Sequence, residues 1–134
     1  MAEQKRRVLV VDDASLVRLY YRTVLEDGGF EVDEALNGIE ALEKLTVSPV
    51  DLLIIDINMP QMDGLTFLAS LRRREPPLSS IPALVSSTES RQEDFAAARR
   101  AGANFYLTKP VSRETLVEFS SLLSCGSPPS GKSG

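Results

Sequence analysis

An α/β domain, a parallel sheet covered by helices on both faces, is the fold class this sequence predicts. Three observations predict it. Short apolar runs rich in Val, Ile and Leu recur at 8–11, 52–55, 83–85 and 105–107. Stretches with apolar residues at helical spacing separate them. The run at 52–55 is apolar at every position, as a strand buried on both faces requires.

Taken in order, the first strand covers 8–11 and ends in Asp12 and Asp13. A helix follows, with Leu16, Val17, Tyr20, Val24 and Leu25 on one face and Gly28-Gly29 as its stop. Residues 30–35 alternate apolar and acidic, the pattern of an edge strand. Asn37 and Glu40 stand at capping-box spacing and open a helix through Ile39, Leu42 and Leu45 that Pro49 ends. The central strand closes abruptly on Asp56, and Met59-Pro60 forces the chain out of the sheet. Asp63-Gly64 then caps a helix carrying Leu65, Leu68 and Leu71, which Arg72–Arg74 and Pro76-Pro77 close. The fourth strand, 83–85, ends in hydroxyls: Ser86, Ser87 and Thr88. Ser90 and Glu93 again have capping-box spacing, ahead of a helix that turns Phe95, Ala98 and Ala101 inward and stops at Gly102. The fifth strand, 105–107, leads to Thr108, Lys109 and Pro110. A last helix from Ser112 carries Leu116, Phe119 and Leu123.

Composition bounds the class. The chain has 134 residues, 43% hydrophobic and 25% charged, which suits one domain. We expect a basic lead at 1–6, the domain at 7–124 and a tail at 125–134 that is disordered or a cloning remnant. A net charge of −4 argues against sequence-independent binding to nucleic acid or an anionic membrane. With no histidine and only Cys125, imidazole chemistry and a disulfide within one chain are excluded, and a cytoplasmic setting is expected. No apolar run has the length of a membrane span, and the lead is too weak for a signal peptide. Gly126, Gly131, Lys132 and Ser133 match the P-loop pattern in form only. Two prolines occupy that loop and no strand precedes it.

The chemistry lies at the strand ends. In a parallel sheet these share one edge, where ligands bind. That edge collects Asp12, Asp13, Asp56, Lys109 and the hydroxyl of Ser87 or a neighbour. Two carboxylates at about 4 Å repel by about 4 kcal/mol at an effective dielectric near 20. The cluster therefore calls for a proton or a cation. Oxygen-only donors favour a hard ion, Mg²⁺ first. A carboxylate flanked by a divalent cation and an ammonium is equipped to receive a phosphoryl group. Tyr106, read alone, is half-buried packing. The arginines at 72–74, with Arg99 and Arg100, read as solvated helix faces.

These residues resemble the receiver domains of two-component response regulators, and in plan the single-domain chemotaxis type. The resemblance is carried by Asp12-Asp13 after the first strand, Asp56 within IIDINMPQMDG, Ser87, Tyr106, and Lys109-Pro110, and it spans 7–123. It implies a flavodoxin-like (βα)5 three-layer sandwich with a five-stranded parallel sheet of order 2-1-3-4-5. It implies that Asp56 is the phosphoacceptor, taking phosphate from a sensor histidine kinase or phosphotransfer protein. Mg²⁺ would be held by Asp13 and Asp56, by the Asn58 backbone carbonyl, and by Asp12 largely through water. Lys109 would pair with Asp56 and then with the phosphoryl oxygens. Ser87 would bond the phosphoryl group, its spacing to Lys109 selecting it over Ser86 and Thr88. Tyr106 would follow as a switch, altering a target-binding face of the fourth helix, fifth strand and fifth helix. The family often has threonine where Ser87 stands. A cis Lys109–Pro110 bond is also implied. The chain would be a phosphoacceptor signalling domain rather than an enzyme, passing its signal by protein contact, or else a piece of a longer regulator with an output domain.

Two rivals fit less well. A flavodoxin-like cofactor binder needs a Ser/Thr/Gly loop after the first strand, where this chain has Asp-Asp-Ala. An aspartate-nucleophile phosphatase needs an acid two residues beyond its nucleophile near the first strand, and position 14 is Ala.

Overall fold

The computed structural model describes residues 5–57, 59 and 63–124. Asn58, Cys125 and the 126–134 tail, including its P-loop-like match, lie outside the described residues. Five strands, β1 (Arg7–Val11), β2 (Glu31–Ala35), β3 (Leu52–Asp56), β4 (Ala83–Ser87) and β5 (Phe105–Thr108), alternate with five α-helices. The helices are α1 (Ser15–Asp27), α2 (Gly38–Val47), α3 (Gly64–Arg72), α4 (Gln92–Ala101) and α5 (Arg113–Ser124), with a 3-10 turn at Leu78–Ser80.

All strand pairs are parallel and the order is β2-β1-β3-β4-β5, as the resemblance implied. The alternating β2 is an edge strand, and the uniformly apolar β3 is central and buried throughout. Alternate side chains of the sheet feed two cores. Leu9, Val11, Leu53, Ile55 and Val85 pack with Ala41 and Leu45 of α2, Phe67, Leu68 and Leu71 of α3, and Ala98 of α4. Val8, Val10, Leu52, Ile54 and Leu84 pack with Tyr21, Val24 and Leu25 of α1 and Leu116 of α5. This makes three layers. Because β1 connects onward to β2 on one side and β3 lies on its other side, the order reverses between β1 and β3. That switch point opens the crevice in which the carboxylates gather.

Local details refine the sequence reading. Asn37 caps α2 by accepting from the Glu40 amide, while Glu40 reaches back to the Leu36 amide. Asp63 caps α3 through the Thr66 amide. The α4 cap falls one residue later than Ser90: Asp94, not Glu93, accepts from the Arg91 amide. On α1 the inward face holds Val17, Tyr21, Val24 and Leu25, whereas Leu16 and Tyr20 are 78% and 39% exposed. Both tyrosines lie at helical spacing from Val17 and Val24, and apolarity alone does not choose between them. Arg72 is not a solvated face. It is half-buried and donates to the carbonyls of Gly102, Ser79 and Ile81. Among the described residues no helix is long and apolar enough to cross a membrane.

Candidate functional site

β1 and β3 run side by side with Val11 opposite Ile55, so the residues that follow them meet at the sheet edge. There Asp12, Asp13 and Asp56 each place a carboxylate oxygen within 4.8 Å of the others. Asp12 and Asp56 are 1% and 6% exposed, and Asp13 faces solvent. Lys109 enters from the turn after β5, where its amide is held by the Ser87 carbonyl at 2.7 Å. Its Nζ stands 3.0 Å from Asp12 Oδ2 and 3.0 Å from Asp56 Oδ1. The Lys109–Pro110 bond is cis.

One ammonium does not balance this cluster. Burial, and then the charge of Asp12, lift the Asp56 carboxyl above the ordinary aspartate value despite its bond to Lys109. Burial works to lower the Lys109 ammonium, but its bonds to Asp12 and Asp56 prevail and raise it. Lys109 is therefore firmly charged, while negative charge on Asp56 is costly. The donor set is oxygen-only, with one exposed and two buried carboxylates, and suits a hard divalent ion such as Mg²⁺. Asn58, the remaining expected ligand, lies outside the described residues.

The two expected switch residues are linked through a third that sequence reasoning missed. Ser87 is fully buried, and its Oγ accepts from the Glu89 amide at 3.0 Å. The Tyr106 hydroxyl donates to the Glu89 carbonyl at 2.9 Å, and its ring meets Phe95 of α4 edge-on at 4.7 Å. Glu89 acts through its backbone, so its side-chain identity carries no signal. Ser86 is turned elsewhere. It sits opposite Asp56 in the ladder and accepts from the buried Tyr21 hydroxyl at 3.3 Å. Beside Lys109 lies a mostly apolar hollow of about 410 Å³, walled by Leu16, Val17, Tyr20 and Pro110. The Tyr20 hydroxyl is anchored to the Val111 carbonyl at 2.8 Å.

Fold and site define a class: a doubly wound α/β domain with three carboxylates and one ammonium at its topological switch point. The family model of the response regulator receiver domain matches residues 8–120. The chain belongs to that family, as a CheY-like receiver domain of phosphorelay signalling. Among solved structures, chemotaxis protein CheY4 of Vibrio cholerae superposes with a TM-score of 0.84 at 33% identity, covering 90% of this chain and 99% of that one. A putative response regulator from Chloroflexus aurantiacus gives 0.86 at 31% identity, covering 92% and 100%. Among curated relatives, the transcriptional regulatory protein PrrA of Mycobacterium leprae is 40% identical over 83% of this chain. A protein-glutamate methylesterase/protein-glutamine glutaminase of Archaeoglobus fulgidus is 41% identical over 87% of it. The match spans only 46% and 32% of the length of those two relatives.

Proposed function

We propose that Asp56 is the phosphoacceptor, and the observation that carries this is its place in the charge cluster. It is a buried carboxylate held by one ammonium and crowded by two further carboxylates. An Asp56 oxygen attacks the phosphorus of a phosphohistidine on a sensor histidine kinase or phosphotransfer protein. The P–O bond forms, the P–N bond breaks, and the imidazole leaves. Asp12, Asp13 and Asp56 would hold Mg²⁺, with the Asn58 carbonyl completing the set. When bound, Mg²⁺ supplies charge neutralisation and orientation for the phosphoryl oxygens. Lys109 gives a second positive charge beside Asp56, and the apolar hollow of Leu16, Tyr20 and Pro110 offers the donor protein a dry seat next to it.

The output is a protein-binding surface. A phosphoryl group on Asp56 draws the Ser87 hydroxyl from the Glu89 amide, and Glu89 hands the motion to Tyr106 and α4. The face of α4, β5 and α5 then differs between the two states, and a target preferring one shifts the balance. The domain is taken as 7–124, a signalling acceptor rather than an enzyme, working in the cytoplasm. It acts through this face alone or as the receiver of a longer regulator.

Labelling by a small phosphodonor with Mg²⁺ tests the acceptor: Asp56→Asn abolishes it, and a mutant that labels like the parent overturns the assignment. For the switch, Ser87→Ala still takes beryllofluoride but shows much smaller spectral changes around Tyr106 and α4. A full response there removes Ser87 from the mechanism.

A further inference from the structure

The turn carrying Asp12 and Asp13 is gripped from α1 by a side chain that the chemistry above leaves unused. Arg18 has 12% of its side chain exposed. Its Nη1 donates to the Asp12 carbonyl at 2.6 Å and its Nε to Glu34 Oε1 at 2.9 Å. Glu34, on β2, is held a second time by Arg22 Nη1 at 2.6 Å. Asp12 is thus pinned at every polar group: its amide by the Ala35 carbonyl, its carbonyl by Arg18, and its carboxylate by the Ala14 amide and Lys109. A planar guanidinium can brace a carbonyl and a carboxylate at once, which a point-like ammonium does poorly.

Resting on the reading of Asp12, Asp13 and Asp56 as the divalent-cation site, we infer that Arg18 is a positioning residue for that site. It fixes the Asp12–Asp13 turn in the register that aims both carboxylates at the cation, with Glu34 as its abutment on β2. Loss of such outer partners commonly lowers metal affinity about 10–100-fold. The direction of change separates positioning from plain charge. As a cation beside carboxylates, Arg18 opposes a divalent ion, so on charge alone its removal tightens binding. As a brace, its removal loosens binding.

The experiment is Mg²⁺ titration of the full chain followed by amide shifts, for wild type, Arg18→Ala, Arg18→Lys and Arg22→Ala. Arg18→Ala is expected to bind about tenfold more weakly or worse, and Arg18→Lys, charge kept and fork lost, several-fold more weakly. Arg22→Ala removes a cation that touches Glu34 but not Asp12, and should stay within about twofold of wild type. Saturating Mg²⁺ should restore the Asp56 labelling rate of Arg18→Ala, which a general structural defect would not permit. Wild-type or tighter affinity in Arg18→Ala overturns the inference. If that variant does not fold, unchanged affinity in Arg18→Lys overturns it equally. Wild type that binds no Mg²⁺ overturns the functional reading and this inference together. Wild type that binds, with unaltered Arg18 variants, overturns this inference alone.

Discussion

Gly64 stands so close to Asp56 that a Cβ added to it would lie 2.3 Å from the Asp56 carbonyl oxygen and 2.8 Å from Ile55 Cγ2. The Gly64 amide also donates to the Ile57 carbonyl at 2.8 Å, so the first turn of α3 is drawn against the end of β3. A backbone oxygen within a central strand cannot step aside as a flexible side chain can. Gly64→Ala should cost about 2 kcal/mol or more, within the range for overpacked sites, as a lower urea midpoint. Because the displaced atoms belong to Asp56, its labelling rate should fall as well. Parental stability and rate would refute the close approach.

Removing the Asp56 carboxylate should stabilise the metal-free domain. The Asp56 carboxyl is raised, first by burial and then by Asp12, so the folded state prefers it protonated. Its favourable contribution is present at low pH and lost as pH rises through the folded pKa, leaving an ionised Asp56 that weakens the fold at neutral pH. In EDTA at pH 7, Asp56→Asn should melt higher, each 1 kcal/mol being worth roughly 3–5 °C for a domain of this size. The gap should narrow on acidification into the carboxylate range. A mutant that melts lower than wild type at pH 7 would reverse the sign.

Lys109 is the sole counter-charge bonded to both buried carboxylates among the described residues. Lys109→Gln leaves Asp12 and Asp56 facing each other without an ammonium. Breaking a buried pair costs about 3–5 kcal/mol, and a partly exposed one less, so a loss of about 2–3 kcal/mol is expected in EDTA. Mg²⁺ should recover most of it and bind several-fold more tightly, a competing cation having gone. Denaturant unfolding with and without Mg²⁺ checks both parts, and an unchanged Mg²⁺ affinity would show that Lys109 does not compete for the site.

Ser120 carries a fully buried hydroxyl on α5 that has no hydrogen-bond partner among the described residues. An unsatisfied buried polar group is a net cost. Ser120→Ala should therefore gain about 1 kcal/mol, from that relief and from better helix propensity. Thermal unfolding measures it, and a loss of that size would reveal an unseen partner.

What the sequence made legible follows from where its signals are local. The strand-end carboxylates, Lys109 and the capping spacings at Asn37 and Asp63 are side-chain chemistry at fixed positions, and the structure brings them together as expected. The α1 face was legible only to within one residue, since Tyr20 and Tyr21 compete for the same stripe and only burial in the core shared with Ile54 and Leu84 selects Tyr21. Arg72 and Arg18 look like ordinary surface arginines because they grip backbone carbonyls, which leave no mark in the sequence, and Arg18 pairs besides with Glu34 on β2. Glu89 was illegible for the same reason.

The arginine clasp at the far end of α4 ties that end of the helix to α3. Arg72 Nε and Nη2 grip the Gly102 carbonyl at 3.0 and 2.8 Å, while Nη1 holds Ser79 and Ile81 beside α3. That end is tied down, while the opposite end of the helix comes just after the Ser87–Glu89 segment that Tyr106 holds. Ten residues make a lever about 15 Å long. A tilt of roughly 10° about Gly102 would carry its tip about 2.6 Å, with the displacement falling toward zero at the clasped end.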